Sequence, residues 1–222
     1  MFKKAAYLLL AISVITSCAP ARYVKPLKKN EQVASLSFGG PLILFAGAAI
    51  PIPFTTLGYA YGLTDKVTAY SHLHTTSLLF SNLQVDLGTT IGLYEKANQY
   101  GFSVSPALQI ATSLKAKNSF RIWPSTDLNF YFHPKEKQSY FYSGVNAWFD
   151  FSAKKAHNEI QNTNVLPNLQ CGYVIVKNKY NHQFQLSYLG LGTPNLPNVP
   201  SFVGLAHQGS LGVFYSLIRK FK

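Results

Sequence analysis

The sequence predicts an all-β chain: a closed antiparallel transmembrane β-barrel of about ten strands, with short turns at one end and longer loops at the other. Three observations carry this expectation. Large residues alternate with small or polar ones over long stretches, as in Leu57-Gly58-Tyr59-Ala60-Tyr61-Gly62-Leu63, and a period of two is the signature of a strand with two unlike faces. The connections alternate in length. The strand interiors hold few charges beyond Asp86, Arg121, Asp127 and Asp150, although the whole chain carries a formal net charge of +12. A soluble barrel covers its outside with charges, whereas a membrane barrel turns its large apolar face to lipid and its small or polar face to the lumen.

The N-terminus reads as an export signal. Lys3 and Lys4 precede an apolar run from Ala5 to Ile15, which is too short to span a bilayer as a helix. The segment Ile15-Thr16-Ser17-Cys18 resembles the bacterial lipoprotein lipobox, and that resemblance implies cleavage before Cys18 and acylation of its sulfur. Ordinary cleavage after Ala21, at Ala19-Pro20-Ala21, is the alternative. Acylation of Cys18 leaves Cys171 without a disulfide partner. The expected organisation is a signal peptide over 1–17, a lipid-anchored periplasmic tether over 18–30 and an outer-membrane barrel over 31–222.

Ten strands are expected, near 31–42, 50–63, 66–76, 80–94, 99–112, 119–133, 138–152, 164–176, 181–192 and 206–221. The strongest alternations assign faces. In the fourth strand Leu83, Val85, Leu87, Ile91 and Leu93 oppose Gln84, Asp86, Gly88, Thr90 and Gly92. In the fifth, Tyr100, Phe102, Val104, Pro106, Leu108 and Ile110 oppose Gly101, Ser103, Ser105, Ala107 and Gln109. In the seventh, Phe141, Val145, Ala147, Phe149 and Phe151 oppose Tyr140, Tyr142, Gly144, Asn146, Trp148 and Asp150.

Tight turns are expected at Thr64-Asp65, Glu95 to Asn98, Pro134 to Lys137 and Lys177 to Tyr180, with long loops at Ala153 to Thr163 and Thr193 to Leu205. This is the pattern of bacterial outer-membrane barrels, whose short turns lie in the periplasm, and the chain resembles those proteins over residues 31–222. An even strand count returns both termini to the periplasmic side. Most basic residues flank the short turns or the termini: Lys66, Lys96, Lys135, Lys137, Lys177 and Lys179; Arg22, Lys25, Lys28 and Lys29; Arg219, Lys220 and Lys222. Such a rim attracts anionic head groups, so the expected partners are outer-membrane lipids, phospholipid and lipopolysaccharide, together with a small solute or surface partner at the extracellular loops. Basic residues gathered in turns, without a basic and aromatic sheet face, argue against nucleic acid.

A four-residue turn over 134–137 pairs His133 with Gln138, and the same register sets Arg121 opposite Asp150, Trp123 opposite Trp148 and Asn129 opposite Tyr142. A lumen charge pair, Arg121 with Asp150, is thus expected beside lumen aromatics Trp123, Trp148, Tyr131, Tyr140 and Tyr142. Paired interior charges are usually structural, which gives a largely filled lumen; a constriction selective for charge is the functional reading of the same residues. His72 and His74 share one strand face but lack a third ligand, so no metal site and no cofactor is expected. In strand number the chain is similar to the omptin proteases, yet Asp150 is the one lumen acid in the outer half, short of that family's rim residues. The fragment His72-Leu73-His74-Thr75-Thr76-Ser77 carries the residue types of the lipid A deacylases without their spacing, so no catalytic residues are assigned.

The expected function is an outer-membrane β-barrel lipoprotein with a largely filled lumen, in a structural, adhesion or narrow-pore role. The alternatives are a hydrolase at the outer rim and a tethered soluble lipid-binding, lipocalin-like barrel. The anchor is directly testable: palmitate should label the chain in cells, and Cys18→Ser should abolish the labelling. Undiminished label in that variant, or a mature N-terminus at Arg22, would exclude the lipoprotein signal.

Overall fold

In the computed structural model, which describes residues 22–97, 99–117, 119–134, 138–152, 163–194 and 201–221, one continuous antiparallel sheet closes on itself. Its strands are β1 (Gln32–Phe45), β2 (Ala48–Pro51), β3 (Phe54–Thr64), β4 (Val67–His74), β5 (Asn82–Lys96), β6 (Tyr100–Ser113), β7 (Arg121–Phe132), β8 (Tyr140–Phe149), β9 (Val165–Val176), β10 (Tyr180–Pro194) and β11 (Gln208–Phe221), with a short helix α1 (Thr75–Leu79) between β4 and β5. Each strand pairs with its neighbour in the chain, except that β1 pairs with β3 past β2. Closure comes from β1 on β11, in register from Gln32↔Phe221 to Pro41↔Gly212. The wall is thus β1 and β3 to β11, a closed ten-stranded barrel. No sheet edge is left open along this ladder, as closure requires.

β2 divides the stretch expected as a single strand over 50–63. It folds back on the end of β1, from Leu42↔Pro51 to Phe45↔Ala48, and the chain rejoins the wall only at Phe54. Pro51 and Pro53 cause the break, because neither has an N–H to give to a ladder. Gly39 makes the neighbouring bend possible: its φ is 134°, and a Cβ there would sit 2.1 Å from the Val213 carbonyl oxygen.

The two faces follow the alternation in the sequence. Leu57, Tyr59, Leu63, Leu83, Leu87, Phe102, Leu108, Phe141 and Val145 are exposed on the outside. Inside, the buried residues are mainly polar: Thr56, Thr68, His72, Gln84, Asp86, Thr90, Ser103, Ser105, Gln109, Asp127, Asn129, Gln183 and Gln185. A water-soluble fold has the reverse arrangement, so the outer surface is built for an apolar solvent. Glycines inside make room for tyrosines one strand away. Tyr70 is paired with Gly88 and Tyr131 with Gly101, and a Cβ on either glycine would come within 2.5 Å of the tyrosine ring.

Connections at one end are short: 65–66 between β3 and β4, 97–99 between β5 and β6, and 177–179 between β9 and β10. The other end carries the longer connections, including α1 and the stretches 150–164 and 195–207. The β7–β8 connection differs from expectation. Its ladder starts at Phe132↔Phe141 and runs to Ser125↔Trp148, a shift of two residues from a four-residue turn. His133 extends the pairing with β6 instead, its N–H donating to the Gln99 carbonyl at 2.6 Å one step beyond Tyr100↔Phe132. Ser139 meanwhile accepts from the Val176 N–H of β9 at 3.0 Å.

Depth along the wall sets how much a charge on the outside costs. Leu87, Leu128 and Leu186 lie near the middles of β5, β7 and β10 and are exposed; replacing any of them with Arg should destabilise the folded barrel in lipid by about 2 to 4 kcal/mol. Phe149→Arg, at the end of β8, should cost no more than about 1 kcal/mol. Unfolding titrations in phospholipid vesicles check the gradient, and uniform tolerance would show that this face meets water.

Candidate functional site: a lumen filled by the N-terminal segment

Residues 22–27 run inside the barrel, and the exposed residues 28–30 lead from its short-turn end into β1. Starting from β1, the Asn30 N–H donates to the Gly62 carbonyl at 2.8 Å and the Gly62 N–H to the Glu31 carbonyl at 2.9 Å. The Lys29 N–H donates to Asp65 Oδ1 at 3.0 Å, and the Leu27 N–H to Thr68 Oγ1 at 2.7 Å. Deeper in, Val24 and Tyr23 offer carbonyls that accept from the Ser103 and Thr90 hydroxyls, and the Arg22 carbonyl accepts from Gln183 Nε2 at 3.2 Å. The wall side chains thus satisfy a backbone that has no strand partner there, as a buried backbone demands.

Gly62 lets the segment come this close. A Cβ at that position would lie 1.9 Å from the Lys28 carbonyl oxygen, a clash that only backbone movement relieves.

The side chains of this segment occupy the interior. Tyr23 packs with Val33, Ala60, Tyr70, Ala107 and Ile218, stacks on His72 at 5.6 Å, and donates its hydroxyl to Ser35 Oγ at 3.0 Å. Val24 packs with Tyr131, Tyr140, Tyr142 and Val174. Lys25 pairs with Glu95 at the short-turn end. Arg22 is the deepest: its guanidinium donates to Asp127 Oδ2 at 2.9 Å and to Ser125 Oγ at 3.0 Å, with both charged side chains under one-tenth exposed. A buried guanidinium is tolerated only when a carboxylate and further acceptors meet it. Arg22 with Asp127 is the charge pair of the lumen.

Arg121 and Asp150, the expected pair, are not partners. The two-residue shift between β7 and β8 separates them; Arg121 is exposed at the loop end, where it reaches the Phe120 carbonyl, and Asp150 Oδ1 accepts from the Ser152 N–H at 2.9 Å. Trp123 and Trp148 do meet, edge to face at 5.6 Å, although Trp148 is registered with Ser125. Tyr131, Tyr140 and Tyr142 are buried inside. Asn129 faces Gly144, not Tyr142. Cys18 lies outside the described residues. Of the tether expected over 18–30, the described residues 22–27 lie within the lumen, where their carbonyls and N–H groups find partners on the inner wall, and 28–30 are exposed at the short-turn end.

His74 Nε2 faces Asp86 Oδ1 at 3.1 Å, both buried. His72 is held between Tyr23 and Tyr70. Among the described residues no group of three or more His, Cys, Asp or Glu could hold a metal ion, and no serine hydroxyl bonds to His72 or His74.

No protein-family model matches this chain, and neither does any curated protein. Solved structures do. A crystal structure of an outer membrane channel from Pseudomonas putida F1 superposes with a TM-score of 0.53 over 91% of this chain and 100% of that one, at 9% identity. The fold is that of an outer-membrane β-barrel. The NanC porin gives a TM-score of 0.48 at 10% identity, covering 85% of this chain and 99% of its own. Ail, the attachment invasion locus protein of Yersinia pestis, gives 0.30 at 8% identity, covering 87% and 99%.

The filling of the lumen by residues 22–28 left only faint traces in the sequence. Those traces are Asp127, one of the few charges inside a strand, and Gly62 and Gly92, whose missing side chains leave room for Lys28 and Pro26. Removing one half of the central pair tests it. Asp127→Ala strands a buried guanidinium, a loss of about 3 to 5 kcal/mol, and the segment should leave the lumen while the wall stays folded. Limited trypsinolysis should then cut after Arg22 in the variant but not in the parent, with circular dichroism unchanged.

Proposed function

We propose that this chain is an outer-membrane lipoprotein barrel, anchored through acylated Cys18, whose own N-terminal segment closes the lumen, so that it works as a structural or adhesion barrel or a narrow pore. The observation that carries this reading is the seating of Arg22, Tyr23 and Val24 across the interior, with Arg22 on Asp127 at 2.9 Å. Ten strands enclose only modest space, more than an eight-stranded barrel filled by its wall side chains and far less than a porin. A peptide segment is the right size to take up the difference. The apolar exterior supports placement in the outer membrane.

Exposed Lys28, Lys29, Lys66, Lys96, Lys177, Lys179 and Arg219 gather at the short-turn end, each worth roughly 1 kcal/mol against anionic head groups. This favours the short turns on the periplasmic side, with the long connections presented outward to a surface partner. The hydrolase reading finds no support in a His74 and Asp86 pair to which no serine or threonine hydroxyl is hydrogen-bonded among the described residues, and the lipocalin-like reading none in a polar lumen with an apolar exterior.

Conductance decides between a closed and an open barrel. In planar bilayers the purified protein should pass little steady current. Deleting residues 22–28 should open it, and more so than changing Trp123 and Trp148 together to Ala, since the tryptophans line one side of the wall while the segment spans the interior. A large, stable current in the unmodified protein would make it a porin, and an unchanged baseline after the deletion would show that wall side chains alone shut the lumen.

A further inference from the structure

Towards the loop end of the lumen, beyond the N-terminal segment, one arc of inner-wall residues holds polar atoms with no protein partner. The register runs it continuously from strand to strand: Thr56 beside His74, His72 beside Asp86, Asp86 beside Gln109, and Gln109 beside Trp123, which meets Trp148. Gln84 sits one inward position from Asp86 on β5. Thr56 Oγ1, Gln84 Nε2, Gln109 Oε1 and the Nε1 atoms of both tryptophans are buried and unpartnered. Thr56, Gln84 and Gln109 are 0%, 5% and 2% exposed.

These side chains are held, not loose. Gln84 Oε1 accepts from Ser77 Oγ at 3.0 Å, and Gln109 Nε2 donates to Ser125 Oγ at 3.4 Å. Buried polar groups are nearly always satisfied, so an arc of unmet ones needs an occupant. The two indole rings are half-buried, which leaves part of them facing the loop mouth.

The chemistry of the unmet atoms selects the occupant. Donors (two indole N–H groups and an amide) stand with an acceptor (Gln109 Oε1) and a hydroxyl that serves as either. The one carboxylate of the arc, Asp86, already has the His74 imidazole beside it, Nε2 to Oδ1 at 3.1 Å. An inorganic ion would satisfy one kind of atom and leave the other, whereas a hydroxyl group donates and accepts at once. Indole faces offer a flat apolar surface for the C–H side of a sugar ring. We propose that the arc formed by Thr56, Gln84, Gln109, Trp123 and Trp148 binds a neutral polyhydroxylated solute of the mono- or disaccharide class at the loop end of the lumen. The site stands whether or not the barrel conducts, and its failure is separate from failure of the closed-lumen reading.

The chain has two tryptophans, and both belong to the arc, so intrinsic fluorescence of the full-length protein in detergent micelles reads the site directly. Titration with maltose, sucrose and N-acetylglucosamine should give a saturable change with at least one of them, and sodium chloride at matched osmolarity none. Gln109→Leu should weaken that binding about tenfold, the equivalent of one lost hydrogen bond. Trp148→Phe, which keeps the apolar volume and leaves Trp123 to report, should weaken it as well, and serves if Gln109→Leu does not fold. The proposal is overturned if no sugar gives a saturable change, if salt gives the same change, or if the variants bind as the parent does.

Discussion

Closure of the backbone ladder is the constraint from which the rest of this molecule follows. In hydrocarbon a peptide N–H or C=O without a partner costs several kcal/mol, so a sheet can live there only if its first strand finds its last. Here β1 meets β11 from Gln32↔Phe221 to Pro41↔Gly212. With the ring shut, every strand has one face outward and one inward along its whole length, and the alternation in the sequence becomes a division between two solvents. Leucines and most phenylalanines go out. Serines, threonines, amides and glycines go in.

A shut ring creates a second problem, that of its interior. A ten-stranded wall is wider than the eight-stranded barrels that side chains alone just fill. Tyr70 and Tyr131 take some of the space by lying over Gly88 and Gly101. What they leave is taken by the chain's own N-terminal segment. Its backbone is satisfied by hydroxyl and amide groups that the inner face already carries, and its one deep charge is met by Asp127. The polar lumen and the segment are therefore complementary: an apolar lumen could not receive a bare backbone, and an isolated Asp127 would be costly without Arg22.

The wall was legible in the sequence because a period of two is a strong signal, and within β3, β5, β6 and β8 the large residues are out and the small or polar ones in as assigned, while Asp150 and Phe151 lie past the end of β8. Registers were less legible, since a two-residue slip preserves the face of every side chain. That is why Trp123 and Trp148 still share the lumen while Arg121 and Asp150 do not pair. The break at Pro51 and Pro53 was visible as residue types, yet the neighbouring alternation outweighed it. The lumen segment was not legible at all from its own residues: Arg22 to Lys28 has no periodicity, and its conformation is imposed by partners as far as 161 positions away. Its traces lay in those partners, in Asp127 and in the glycines that leave space.

One consequence joins the two halves of the lumen. Arg22, Tyr23 and Val24 bind the middle and the short-turn side, while the unmet atoms of Gln84, Gln109 and the tryptophans lie on the loop side. His72 belongs to both: Tyr23 stacks on it from the segment, and Asp86 of the arc is its registered neighbour. A change at the arc that moves Asp86 or His72 is thus felt by Tyr23, and displacement of the segment exposes the floor of the arc. The same closed wall that isolates the lumen from lipid forces whatever occupies one half to be in contact with the other.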